Sequence, residues 1–154
     1  MMLTREDGRG KKKLMIKEET MTKNGALNDF YRYVQEEGKL LSPEHARRWS
    51  DGVLRTLGTA LDRRTKKRLA KALPEELADS LTGVFWLLHF RDPNLSSYAF
   101  RRMAARRSGN TDADFARIPT LAVFGGVKRM IDDDLKRDVA ETLAPEVQEL
   151  WQQA

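Results

Sequence analysis

The chain has 154 residues, 40% of them hydrophobic and 33% charged, which is enough for one folded domain or two small packed units and lies outside disordered, collagen-like and membrane compositions. It has no cysteine, which excludes a disulfide framework, a thiol nucleophile and a thiolate zinc site and points to a cytoplasmic compartment. The net charge of +5 invites a nucleic-acid partner, but +3 of it falls in residues 1–27, where seven Lys and Arg oppose four Asp and Glu, so the remainder has no globally basic field.

Residues 1–25 are polar, contain Gly and Lys and lack apolar periodicity, so they are predicted to form a mobile basic leader. No apolar core follows their basic residues, so they do not form a secretory signal, and Met15 and Met21 are alternative starts to Met1. Phe30, Tyr33 and Val34 recur on one face and predict a first helix from Ala26 to Glu37, closed by Gly38 in a left-handed cap. Ser42-Pro43-Glu44 is a helix start: a hydroxyl to accept free backbone amides, a proline at the first helical position and an acid at the positive end. Trp49, Val53, Leu57, Ala60 and Leu61 mark the buried stripe of that second helix. Asp62 caps a third helix carrying Leu69, Ala70 and Leu73, and Pro74-Glu75-Glu76 opens a short fourth one toward Leu81. No alternating strand pattern competes.

A shift of 70 residues brings the same layout back. Phe30 falls on Phe100, Ala46 on Ala116, Val53 on Val123, Asp62 on Asp132, Leu73 on Leu143 and Glu76 on Glu146, and apolar type is kept where Leu54 meets Phe124 and Leu81 meets Trp151. The expected organisation is a helical domain over 26–154, with repeat one at 28–81, an apolar connector at 82–97 and repeat two at 98–151. The connector's Val84-Phe85-Trp86-Leu87-Leu88 stretch is too apolar for a free linker and is expected to pack between the copies. The longest apolar run, Val84 to His89, at about six residues is also far short of the roughly 20 that a membrane-spanning helix needs. Pro119, where copy one has Trp49, and Gly125-Gly126 predict a kink or split in the second helix of copy two.

The paired layout, with a Phe-containing first helix, a long second helix and the elements Leu73 to Leu77 and Leu143 to Val147 closing each copy, resembles the bacterial domain-of-unknown-function family 2267. The resemblance covers about residues 26–152. It implies an all-helical domain of two related halves, brings no established activity and carries over no functional residues.

Candidate chemistry is sparse. His45 lies in the first turn of the second helix and His89 follows an apolar run; neither has a partner at ligand spacing, and both read as structural. Asp132-Asp133-Asp134 has the oxygens of a hard-cation site, but Asp132 aligns with the cap Asp62, and acids in a first turn stabilise the helix dipole. Gly8-Arg9-Gly10-Lys11-Lys12-Lys13 lacks the Walker spacing and a preceding strand. No cofactor is expected.

Basic clusters remain: Arg63, Arg64, Lys66, Lys67, Arg68 and Lys71 on the third helix, and Arg101, Arg102, Arg106 and Arg107 on the first helix of copy two. At repeat-related positions Arg63, Arg64, Arg68 and Lys71 face Asp133, Asp134, Asp138 and Glu141, and Glu36 and Glu37 face Arg106 and Arg107. Like and opposite signs balance over all aligned charges, and only this clustering suggests electrostatically complementary halves, within one chain or between chains.

The expected fold is therefore all-α, a single domain of two pseudo-repeated units of three to four helices. One core is built on Phe30, Val34, Trp49, Val53, Leu57, Leu61, Leu69 and Leu73. The other is built on Phe100, Val123, Phe124, Val127, Ile131, Val139, Leu143 and Trp151. The expected function is a non-enzymatic adaptor that contacts a protein partner through Arg63, Arg64, Lys67, Arg68, Lys71, Arg101, Arg102, Arg106 and Arg107 or through Val84 to Phe90, with a homo-oligomer as one form of it. The alternative is nucleic-acid association through the same Lys/Arg clusters and the basic leader.

Overall fold

A computed structural model describes residues 24–84 and 91–154, and among the described residues the backbone forms eight helices and no strand. The expected leader up to residue 23, with its Gly-Arg-Lys run and alternative starts, and most of the Val84 to Phe90 connector with His89 lie outside the described residues. Helix α1 spans residues 24–37 and is already helical two residues before the expected Ala26. Its end differs from expectation. The left-handed position is taken by Lys39, at φ 53°, not by Gly38, and the turn is closed by the Leu40 N–H donating to Gln35 O at 2.9 Å.

Helix α2 (Pro43–Ala60) starts where Ser42 Oγ accepts the His45 N–H at 3.1 Å, which gives His45 a place in the capped turn. Helix α3 (Arg63–Ala72) is capped by Asp62, whose carboxylate accepts the Thr65 N–H at 2.7 Å, and α4 (Glu75–Thr82) follows directly. Burial pushes the Asp62 carboxyl up, but the Thr65 hydrogen bonds with Arg91 and Arg64 outweigh it and hold the group below the usual carboxylate range. Helix α5 (Ser97–Arg107) is capped by Ser96 and ends in a turn with Gly109 at φ 81°.

Helix α6 (Arg117–Lys128) is not split as Pro119 and Gly125-Gly126 had suggested but runs through both glycines; it is shortened at its start. Pro119 falls in the first turn, where the missing N–H has no intrahelical acceptor to lose. The turn before it is built by Asp112 Oδ1, which accepts the N–H groups of Asp114 at 2.9 Å and Phe115 at 3.3 Å. Gly125 and Gly126 continue the helix because α1 lies on them: a Cβ on Gly126 would stand 2.7 Å from Phe30 Cε2, and one on Gly125 2.7 Å from Tyr33 Oη. Helices α7 (Asp133–Thr142) and α8 (Pro145–Gln153) complete the chain, α7 capped by Asp132 through the Leu135 N–H at 2.9 Å.

Every residue named above for the two cores is buried, but they form one continuous cluster rather than two. The joining element is α2, which packs on α4, α5 and α6, so side chains of both halves meet along it. It does so closely. A Cβ on Gly52 would stand 2.2 Å from Ser108 Oγ, and one on Gly58 2.0 Å from Leu81 O, which brings α5 and α4 onto its backbone. A second contact joins α3 to α7, and Phe124 links Phe100 and Trp151 through ring centroids 5.5 and 5.4 Å apart. Several local features recur 70 residues apart, among them the caps Asp62 and Asp132 and the left-handed residues Lys39 and Gly109.

Candidate interaction surface

Ten residues of α3 carry Arg63, Arg64, Lys66, Lys67, Arg68 and Lys71, and the sequence sorts them around the helix by its period. Thr65 and Leu69 face the core, so their neighbours fall on the flanks and the outer face. Lys66 lies on one flank, half buried, and burial lowers its amine from the usual lysine range, with Arg63 adding to the effect. On the α7 side Arg68 donates to the Asp138 carboxylate in an ion pair at the seam between the helices. On the outer face Lys67 and Lys71 are exposed, and Arg64, three residues before Lys67, extends this exposed stripe to the edge of the α3–α7 hollow that it lines with Asp62, Arg68, Asp138 and Glu141. None of these three lies within salt-bridge distance of a described carboxylate.

The second cluster disperses. Arg101 has a side chain only 15% exposed and holds the loop before α6, donating to Ala113 O at 2.7 Å and pairing with Asp114 at 3.5 Å. Arg107 donates to the Thr56 hydroxyl at 3.0 Å, and burial followed by the charge of Arg55 lowers its affinity for the proton. Arg102 and Arg106 are exposed on α5, with the exposed Tyr98 one turn before Arg102. Since α3 packs on α4 and α7 while α5 packs chiefly on α2, the nine candidate residues do not form one surface.

Of the opposite-signed positions, Arg68 and Asp138 meet directly. Of the other acids at α7, Asp133 pairs with Lys136 at 3.2 Å and Asp134 with Arg137 at 3.9 Å, Asp132 is the cap, and Glu141 lines the hollow between α3 and α7 with Asp62, Arg64 and Arg68. Among the described residues no three His, Cys, Asp or Glu side chains gather closely enough to hold a metal ion. No helix there is long and apolar enough to cross a membrane.

Sequence reading missed a set of cation–aromatic and polar contacts between distant elements. The Arg129 guanidinium lies 4.5 Å from the Tyr33 ring centroid and that of Arg47 5.2 Å from Tyr31, whose hydroxyl donates to Glu76 Oε1 at 2.8 Å. One turn further along the same α2–α4 contact, Asp51 accepts from Arg55 Nε at 2.9 Å and from Ser80 Oγ at 2.7 Å. These partners lie far apart in the chain except for Asp51 and Arg55, whose four-residue spacing on one helix was the single signal available.

Comparison with curated proteins finds no match. The model of the family described as "Uncharacterized conserved protein (DUF2267)" matches residues 27–150, and the chain belongs to that family.

Proposed function

We propose that this protein is a non-enzymatic, cytoplasmic interaction module that holds an acidic surface of a partner protein on the outer face of α3. The observation that carries this reading is the stripe of Arg64, Lys67 and Lys71, exposed and outside salt-bridge range of any described carboxylate, on a helix whose other faces are fixed by Leu69 and by the Arg68–Asp138 pair. A helix held rigidly at its cap, its core face and its seam presents those cations without an ordering cost of its own backbone. The same reading treats the domain as two related halves, supported by the caps and left-handed residues that recur 70 residues apart. Their charges have diverged, basic on α3 and mixed with acids on α7.

The test is capture from nuclease-treated lysate by the full chain and by the triple variant Arg64→Gln, Lys67→Gln, Lys71→Gln, with unchanged helical content checked by circular dichroism. A protein held by the parent chain and released by the variant is the expected result. Retention by the variant overturns the reading, and recovery of nucleic acid in untreated lysate, with affinity falling steeply as salt rises, replaces it by the phosphate-binding alternative.

A further inference from the structure

The cationic stripe of α3 runs into a groove. Lys71, its last member, lines a cavity of about 360 Å³ where the start of α1, the junction of α3 with α4 and the end of α6 converge; Ala26, Leu73, Pro74 and Met130 are its more buried lining, and Lys71 and Arg129, from different helices, its exposed rim. Ala26, Arg129 and Met130 also line an adjoining hollow of about 200 Å³ that reaches Asp29, Tyr33 and Gly126. Phe30 and Gly126, packed directly on each other, form part of its wall. Arg129 is held over the Tyr33 ring, and neither it nor Lys71 reaches salt-bridge distance of a described carboxylate. An apolar trough with two cations on its rim, one of them preorganised on an aromatic ring, is the form of a pocket that anchors a partner's side chain at an interface.

We propose that this groove receives one apolar side chain from an acidic segment of the partner protein, with the segment's carboxylates lying on Arg129 and Lys71 and continuing along α3 over Lys67 and Arg64. The proposal rests on the interaction reading above and names the partner's chemistry. The choice of occupant follows from charge: Lys71 and Arg129, continuous with the positive face of α3, outweigh Asp29, the one carboxylate lining the hollow beside Arg129, so a basic amphipathic segment is repelled and a neutral apolar one gains only the floor.

The probe is 8-anilinonaphthalene-1-sulfonate, an aromatic body beside one strong anion, titrated into the full chain with its uncharged relative N-phenyl-1-naphthylamine as control and amide NMR to locate both. One bound anion per chain is expected, with shifts centred on Ala26, Arg129 and Met130. The pair Arg129→Gln with Lys71→Gln weakens the anionic probe about tenfold and changes the neutral one less than twofold. A glutamate-rich peptide with one tryptophan displaces the anionic probe, and the same peptide with serine in place of tryptophan does not. Shifts centred elsewhere, equal loss of both probes, displacement by anionic lipid vesicles but not by the peptide, or occlusion of the groove by a concentration-dependent dimer each overturn the proposal. Partner capture that is lost in the α3 triple variant while the probe maps elsewhere overturns the groove alone; capture retained by the triple variant overturns the interaction reading itself.

Discussion

Tyr31 shows how one side chain ties elements that the sequence keeps 45 residues apart. Its ring is buried beside Phe30, its hydroxyl donates to Glu76 on α4, and its proton is held well above the usual phenol range, first by burial and then by the bond to Glu76 and that residue's charge. A group with a raised folded pKa contributes stability that is complete below its unfolded value and is lost as pH rises through the folded one. Stability should therefore hold up to about pH 10 and fall above it, where the unfolded chain releases this proton and the folded chain keeps it. Urea midpoints between pH 8 and 11 should show this slope in the parent and a shallower one in Tyr31→Phe; equal slopes would remove Tyr31 as its source. Lys39 makes a second local case. A side chain at φ 53° costs roughly 1 kcal/mol that glycine does not incur, as Gly109 shows at the end of α5. Lys39→Gly should raise the unfolding free energy from denaturant titration by about 0.5–1 kcal/mol, and a fall would mean that the Lys39 side chain holds a contact outweighing the strain.

At the scale of the helices, what the sequence made legible was whatever has a local cause. The caps Ser42, Asp62 and Asp132, the period of Val53, Leu57 and Leu61, and the proline-led starts of α2 and α4 each follow from groups within one or two turns, and each lies where the pattern placed it. The fate of α6 was not legible, because whether Gly125-Gly126 breaks a helix depends on Phe30 and Tyr33 of a helix far earlier in the chain. The candidate surface divides the same way. Exposure of Arg64, Lys67 and Lys71 follows from the period, whereas the engagement of Arg101 and Arg107 and the groove at Arg129 follow only from tertiary packing. Gly58 gives the sharpest test of packing at this scale. With Leu81 O 2.0 Å from the site of its missing Cβ, Gly58→Ala must push α4 away from α2 and should cost about 2–3 kcal/mol, although alanine is the better helix former. Gly25→Ala, with open space around it, should be neutral or slightly stabilising. Thermal midpoints of the two variants moving alike would show that the α2–α4 contact can relax.

For the whole molecule the consequence of one continuous core is that the two halves have no separate stability to lose. Val53 and Leu57 from one side and Val123 and Val127 from the other belong to the same buried cluster, so loss of packing in either half exposes surface in both. The α3–α7 seam adds an electrostatic contact to this core at Arg68 and Asp138, whose side chains are 43% and 37% exposed. At that exposure solvent screens the pair, and its contribution is of the order of 0.2–1 kcal/mol. The seam therefore sets the register of the halves more than it holds them together. Arg68→Asp, which sets two carboxylates against each other, should lower the unfolding free energy by about 1 kcal/mol in low salt and by less in high salt. The exchange Arg68→Asp with Asp138→Arg should recover most of that loss, since it restores opposite charges at the same seam. In all these variants, circular dichroism and tryptophan fluorescence should report one coincident transition, because Trp49 and Trp151 lie in the shared core. Two separated transitions would show that the halves fold as independent units, and a single-variant loss unaffected by salt and not recovered by the exchange would show that α3 and α7 meet through packing alone.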